Sequence, residues 1–544
     1  MALYNWTRSD GSSMGHRSWP QPFAGSSVWL PSGHWQAAKI PFGVNHQGDQ
    51  GNSELCRIYP RPDSEVNSWA AHKNHFYDGV HSVPQTYPLG CRGGAFPHVY
   101  VCLAAPAAAN VSVGATYEPT GKTFATFTVT PTGSYTNATF WFRAYDMSGD
   151  FLDYIFTAST YGAYNANNET GFLFVGANPY GASPSDSNTG SITAPFATLT
   201  PIYGTTFGGT SNPGAQVYFA GTVDGLALSA SYGIQLEGGV NPCTLRGYPG
   251  QSATLDISNG GTICCVTFGS NAHDVFIGDF TLIGSVTSGT TYAQFYNTVR
   301  QDRFTEFNIS APDVYNDPET TANDNQGLNY NGDPNTTTYS EYYFLRNVSE
   351  TNRTGTYGEA LFSWYRHRYC LVDFCSATGV GTNGPPVKIS NLDTTVRSTK
   401  IVLTSGGSWA LNHPDYVAST NPLPNGNHEV CYNVLDASVP GQFCMGFNQS
   451  YGTVGNCWSY RNSYLGRITV NAPAGNGPFS FENDAIQWIN QAVEINQTTG
   501  SLPANVTNVN TEAQAASGVF VNPAAGDYSL SNSTLTGTHG AYIS

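Results

Sequence analysis

The feature that most constrains this chain is a short motif that keeps returning. Two brief apolar runs meet at a polar corner, first clearly in His273-Asp274-Val275-Phe276-Ile277-Gly278-Asp279-Phe280-Thr281-Leu282. Related stretches place Glu306, Asn347, Asp373, Asn433 and Asn483 at the corner, at intervals of about 25 to 60 residues. A corner between two strands needs a residue that tolerates left-handed backbone and hydrogen-bonds locally, which suits Asn and Asp and leaves Glu306 as the poorest fit. Intervals near the mid-twenties, some swollen by loops, are what a parallel β-solenoid produces, and the corner residues then read as turn formers.

Composition agrees with a β-rich chain. Only 11% of the 544 residues are charged, while 13% are aromatic despite 59 glycines, and that aromatic area argues against disorder. A net charge of -16 and a pI near 5.0 would repel a phosphate backbone, which excludes nucleic-acid binding. No apolar run reaches the roughly 18 residues a membrane-spanning helix needs, so membrane insertion is not expected. The first ten residues lack a basic stretch followed by an apolar one, so they do not read as a secretory signal. Cysteine is odd in number at 11 and shows no paired metal-site spacing. Cys264, Cys370, Cys375, Cys431, Cys444 and Cys457 fall inside apolar runs and read as small buried hydrophobes.

Taken in order, 1–103 reads as an irregular, loop-rich module carrying Trp6, Trp19, Trp29, Trp35 and Trp69. Its histidine group His72, His75 and His81 is read as surface or packing residues rather than as a metal site. Period-two alternation then takes over in 104–176, as in Phe124-Ala125-Thr126-Phe127-Thr128-Val129 and Ala138-Thr139-Phe140-Trp141-Phe142, which predicts a small immunoglobulin-like β-sandwich. The stretch 178–184 reads as a linker.

Beyond it, Pro195-Phe196-Ala197-Thr198-Leu199 follows an Asp/Ser/Gly turn, and Pro213-Gly214-Ala215-Gln216-Val217-Tyr218 follows later. With Gly518-Val519-Phe520-Val521-Asn522-Pro523 near the end, these segments resemble the opening and closing of right-handed parallel β-helix domains of the pectate-lyase-like superfamily. The resemblance brackets 185–544 and implies an all-β chain: a parallel β-helix preceded by a small sandwich and the irregular module. Relatives often carry a capping helix between Phe196 and Pro213, but Pro201, Gly204, Gly208 and Gly209 argue for a different cap here.

Chemistry is expected in oversized loops, read at about 311–341 and 379–429. The first carries Asp313, Asp317, Glu319, Asp324 and Asp333, without the compact spacing of a calcium loop, so solvated loop charge is the reading there. The densest cluster lies between them, where Glu359 precedes Trp364, Tyr365, Arg366, His367 and Arg368. Glycoside hydrolysis needs paired carboxyl groups and a lyase needs a base, so the catalytic candidates are Glu359, Arg366, His367 and Asp415. Trp364, Tyr365, Trp409 and His413 are the sugar-binding candidates. The competing reading makes Arg366, His367 and Arg368 an exposed turn ahead of a strand at 369–372.

Relatives with this fold include polysaccharide lyases, glycoside hydrolases and phage tailspikes. The resemblance therefore implies a bacteriophage virion surface protein, a tailspike, receptor-binding or decoration protein that binds host surface polysaccharide, with cleavage of it left open. It would be made in the host cytoplasm, displayed on the virion, anchored to other virion proteins through 1–103, and trimeric. A secreted polysaccharide lyase or hydrolase and a noncatalytic adhesive β-helix are the alternatives. No cofactor or metal is expected under any of them.

Overall fold

The structure, a computed structural model, describes residues 3–7, 13–18, 56–58 and 74–77. Between 81 and 541 it describes the strands and the tight turns joining them; stretches outside the described residues include 204–215, 313–328, 354–361 and 415–427. The chain is all-β and is dominated by one large, mostly parallel sheet system.

Strand pairing shows how that system winds. Gln216–Phe219 pairs with Cys243–Gly247, Gly221–Asp224 with Ala253–Asp256, and Tyr232–Leu236 with Cys264–Phe268, all parallel. Each strand thus bonds to the third strand after it. Parallel neighbours cannot be joined by a tight hairpin, so the chain visits two other sides before returning, and the result is a three-sided parallel β-helix. The strand His273–Ile283 pairs with both Cys243–Gly247 and Ala253–Asp256, so the recurring motif spans two sides of one coil, bent at its corner.

One inward column runs Val217, Leu245, Ile277, Glu306, Leu345, Val372, Val396, Val430, Ser459, Phe481, each level with the next. All ten are buried. Glu306 therefore is an interior residue, and the corner of its coil is Asn308, two positions on, at φ 55°.

The left-handed seats are Asp279, Asn308, Asn347, Phe374, Ser398, Tyr432, Arg461 and Asn483, with φ between 51° and 61°. Asp279, Asn347 and Asn483 are corners as the pattern predicts. Asp373 precedes its corner by one residue and Asn433 follows its corner by one, because Phe374 and Tyr432 hold those seats.

The shift matters for packing. Asn308 Nδ2 donates to Asp279 Oδ1 (3.1 Å) and Asn347 Nδ2 to Asn308 Oδ1 (2.8 Å), a ladder at the corner itself. One residue later in the coil stands a second, buried ladder. Asn433 Oδ1 accepts from the Thr399 N–H, and the Asn433 N–H donates to Asn462 Oδ1, both at 2.9 Å. The Asn462 N–H in turn donates to Asp484 Oδ1 at 2.7 Å. These side chains satisfy turn amides that water cannot reach.

The β-helix begins at Phe172–Val175, which pairs in parallel with Gln216–Phe219. A single helical turn, Thr200–Tyr203, closes that end with Leu199 and Ile202 buried in the core. At the other end Phe520–Asn522 and Asp527–Leu530 form a hairpin that folds back along the outside of the coils. Val519, Phe520, Tyr528 and Ala541 cover Val434, Leu465 and Ala485, and the Tyr528 hydroxyl donates to Asp436.

Ahead of the helix, two four-stranded sheets face each other. One contains Asn74–Tyr77, Phe151–Tyr161, Ala138–Tyr145 and Val99–Ala104, and the other Cys56–Ile58, Gln85–Cys91, Thr126–Pro131 and Ala109–Gly114. Their shared core, including Phe76, Tyr87, Tyr100, Phe127 and Phe142, extends onto Phe276 and Phe307 of the β-helix. The sandwich is therefore docked on the flank of the coils through apolar contact. A Cβ added to Gly90 would lie 2.5 Å from Phe344 Cζ, which shows how closely the two approach.

Candidate functional site

The residues just before the corners explain what locks this junction. Arg246, Arg346 and Arg397 are among the largest fully buried side chains of the protein. Arg246 pairs with Asp279 and donates to the sandwich carbonyl of Thr86 at 2.6 Å, its guanidinium lying over the rings of Tyr87 and Phe276. Arg346 pairs with Asp373 and donates to the carbonyls of Leu89 and Ala125, while Arg397 pairs with the same Asp373 carboxylate. Burial alone would push the Asp373 carboxyl up, but Arg397 and Arg346 outweigh it and hold it below the usual carboxylate range. Asp373 thus serves the fold, as a counter-ion rather than a turn residue.

Above this triad the corners open into a cleft. Asn347, Phe374 and Ser398, each one residue after a member of the triad, line it with Tyr432, and Phe124 of the sandwich closes one side. Cys375, Thr399, Lys400, Val434 and, from the C-terminal return, Ala541 complete it, around a cavity of about 220 Å³. Three parts of the chain far apart in sequence meet here. Burial pushes the Tyr432 hydroxyl up to about 12 despite the nearby Arg461, so it stays a neutral phenol at ordinary pH. The Lys400 ammonium lies 5.2 Å from the Tyr528 ring centre.

The sequence-predicted residues fall elsewhere. Glu359 and Asp415 lie outside the described residues. Arg366 and His367 are inside the long strand Phe362–Asp373, not in a turn ahead of one. His367 is fully buried, its ring edge-on to Tyr343 at 4.4 Å, so it is an interior residue of the helix. Trp364 and Tyr365 lie on the first half of the same strand, level with Ile389 and Ser390. Trp409 and His413 lie on Trp409–Pro414, which pairs with Val387–Arg397 at Val387 and Lys388. The third side of the helix therefore carries all four sugar-binding candidates, in two pairs with the coil of Val387–Arg397 between them.

The segment read as an oversized loop at 379–429 contains the strands Val387–Arg397, Lys400–Ser405 and Trp409–Pro414, a complete coil. Its Asp, Asn, Ser and Gly content conceals short strands, because each needs only a few inward apolar residues.

Among the described residues no group of three or more His, Cys, Asp or Glu side chains is arranged to hold a metal ion. Several buried carboxylates have structural partners: Glu429 accepts from Thr395 and Tyr460, and Asp484 from Ser459 and Asn462. Sequence reasoning missed the cleft because Phe124, Lys400 and Ala541 share no motif. Comparison with family models, curated proteins and solved structures finds no match.

Proposed function

We propose that this chain is a surface protein of a bacteriophage particle, akin to pectate-lyase-like β-helix tailspikes, that binds host surface polysaccharide. The observation that carries the reading is a three-sided parallel β-helix whose third side stacks Phe362–Asp373, Val387–Arg397 and Trp409–Pro414 in parallel register, the first and last of these strands carrying Trp364, Tyr365, Trp409 and His413. A stacked parallel side of this kind offers an extended, repetitive polymer a surface with a matching repeat. The free, buried thiols of Cys370, Cys375, Cys431 and Cys444 fit folding in a reducing cytosol before display outside the cell. Those of the first 103 residues that lie outside the sandwich strands would face other virion proteins, and a homotrimer is the expected assembly.

The test is to incubate the purified protein with a panel of bacterial capsular and lipopolysaccharide glycans and follow binding together with new reducing or unsaturated ends. Binding to one glycan class is the expected result, and no binding across the panel refutes the reading. Where new ends form, Glu359→Gln is expected to abolish them and leave binding intact; undiminished cleavage removes Glu359 from any catalytic role.

A further inference from the structure

We infer that the junction cleft over the Arg346–Asp373–Arg397 triad is a binding site for one carboxylate-bearing sugar ring, which rests on the glycan-binding reading above and names one ligand class within it. Four observations support it.

The first is chemical. Lys400 contributes an ammonium that no carboxylate neutralises among the described residues, its recorded contact being the face of Tyr528. Ser398 contributes a hydroxyl that is buried and has no hydrogen-bond partner among the described residues. A buried hydroxyl left unsatisfied is costly, and an anionic oxygen in the cleft would satisfy it. Both residues line the same cleft.

Shape is the second. Rings of Phe124, Phe374 and Tyr432 form the apolar lining, which suits the face of a sugar ring. At about 220 Å³ the cavity is below the range of about 300 Å³ and upward typical for drug-sized ligands, so it fits one ring and not an oligosaccharide.

Third, the floor is not anionic. The buried carboxylate next to Phe374, Asp373, is shared by two guanidiniums. The fourth is strain. Phe374, Ser398 and Tyr432 adopt φ of 53°, 51° and 57°, a conformation that residues other than Gly, Asn and Asp rarely take, and all three line the cleft. Such strain collects where a site must be shaped.

The experiment uses the full chain and the sodium salts of D-glucuronate, D-galacturonate and N-acetylneuraminate, with methyl glucoside as the neutral control. Ligand-observed NMR and calorimetry are expected to show binding of at least one acid, weakened by added salt, and none of the neutral sugar. Lys400→Gln should weaken that binding roughly tenfold or more, the loss of a hydrogen bond to a charged group, and Ser398→Ala by a smaller factor. Because a substitution in the junction can disturb folding, the unmodified protein is also labelled with an amine-acetylating reagent. Bound acid should protect Lys400 selectively. Equal binding of the neutral sugar, unchanged affinity in folded Lys400→Gln, or acetylation of Lys400 at the same rate with saturating acid each overturns the inference. If bacterial polysaccharide binds Lys400→Gln as tightly as the natural chain, the cleft assignment falls and the glycan-binding function stands. If no polysaccharide binds but an acid monosaccharide still does, the opposite holds.

Discussion

Replacing Asp373 by asparagine keeps the shape of the side chain and removes its charge, so it isolates what that carboxylate does. In the native structure two guanidiniums, both essentially inaccessible to water, share it. Taking the counter-ion from a buried pair costs about 3–5 kcal/mol, because the remaining charge is desolvated and uncompensated. An exposed pair would cost only about 0–1 kcal/mol, so the size of the effect reports on burial. Arg346 also holds the sandwich carbonyls of Leu89 and Ala125, so the damage should appear at the docking surface. Urea unfolding of Asp373→Asn is expected to lose about 3–5 kcal/mol in the transition that frees the sandwich. Amide exchange should accelerate in Gln85–Cys91 while Phe479–Glu482, several coils away, keeps its protection. The pH dependence has a definite sign. A carboxyl held below its unfolded value stabilises the fold above that value, near 3.8, and the contribution is lost as pH falls through the lower folded value. The natural chain and Asp373→Asn should therefore converge in stability in acid and diverge above about pH 4. A loss under about 1 kcal/mol with unchanged exchange refutes the argument.

Three further outcomes follow from the same geometry. Gly90→Ala places a methyl 2.5 Å from Phe344 and 3.0 Å from Leu371, and should cost about 1–3 kcal/mol with looser docking in proteolysis of the sandwich; full native stability would show that the two units can slide apart freely. Asn433→Ala removes the acceptor of the Thr399 amide and the donor to the Val396 carbonyl, for about 1–3 kcal/mol in thermal unfolding. Asn433→Asp keeps the acceptor but sets an oxygen against that carbonyl, so it should be no better than alanine; a clear rescue by aspartate would refute the ladder. Burial pushes the Cys375 thiol up to about 12 and those of Cys431 and Cys444 well above the ordinary value, so folded protein at about pH 8 should resist alkylation at all three until denaturant is added.

The solenoid was legible because its signal is periodic: inward positions such as Ile277, Leu345 and Val372 must be apolar, and a repeated corner punctuates them. Register within one residue was less legible. Asn and Asp serve two roles here, as left-handed corners at 279, 308, 347 and 483 and as buried ladder rungs one position later at 433, 462 and 484. The same residue type therefore marks two adjacent columns, and Asn433 was read in the wrong one. Glu306 and His367 misled for a different reason. Polar residues are expected outside, yet both sit inside the coils, where tertiary context overrides the local pattern. The cleft had no sequence signal, since its walls come from the sandwich, four coils and the C-terminal return.

The run of corners from 374 to 461 departs from the rule that the other corners follow. Four seats in succession are held by Phe, Ser, Tyr and Arg, although left-handed backbone costs residues other than Gly, Asn and Asp about 1–2 kcal/mol each. Neighbours offset that cost: Phe374 packs on Phe124 with ring centres 5.6 Å apart, and Tyr432 packs on Tyr460 at 5.4 Å with the Arg461 guanidinium over its ring. An Asn or Gly at 374 or 432 would relieve the backbone and remove a ring from the cleft. Those ring contacts are one reason to keep both residues in strained seats, and a ligand that needs an aromatic wall would be a second. The departures coincide with the stretch where the sandwich, the coils and the C-terminal return converge, which places the selective demand on the junction rather than on any single coil.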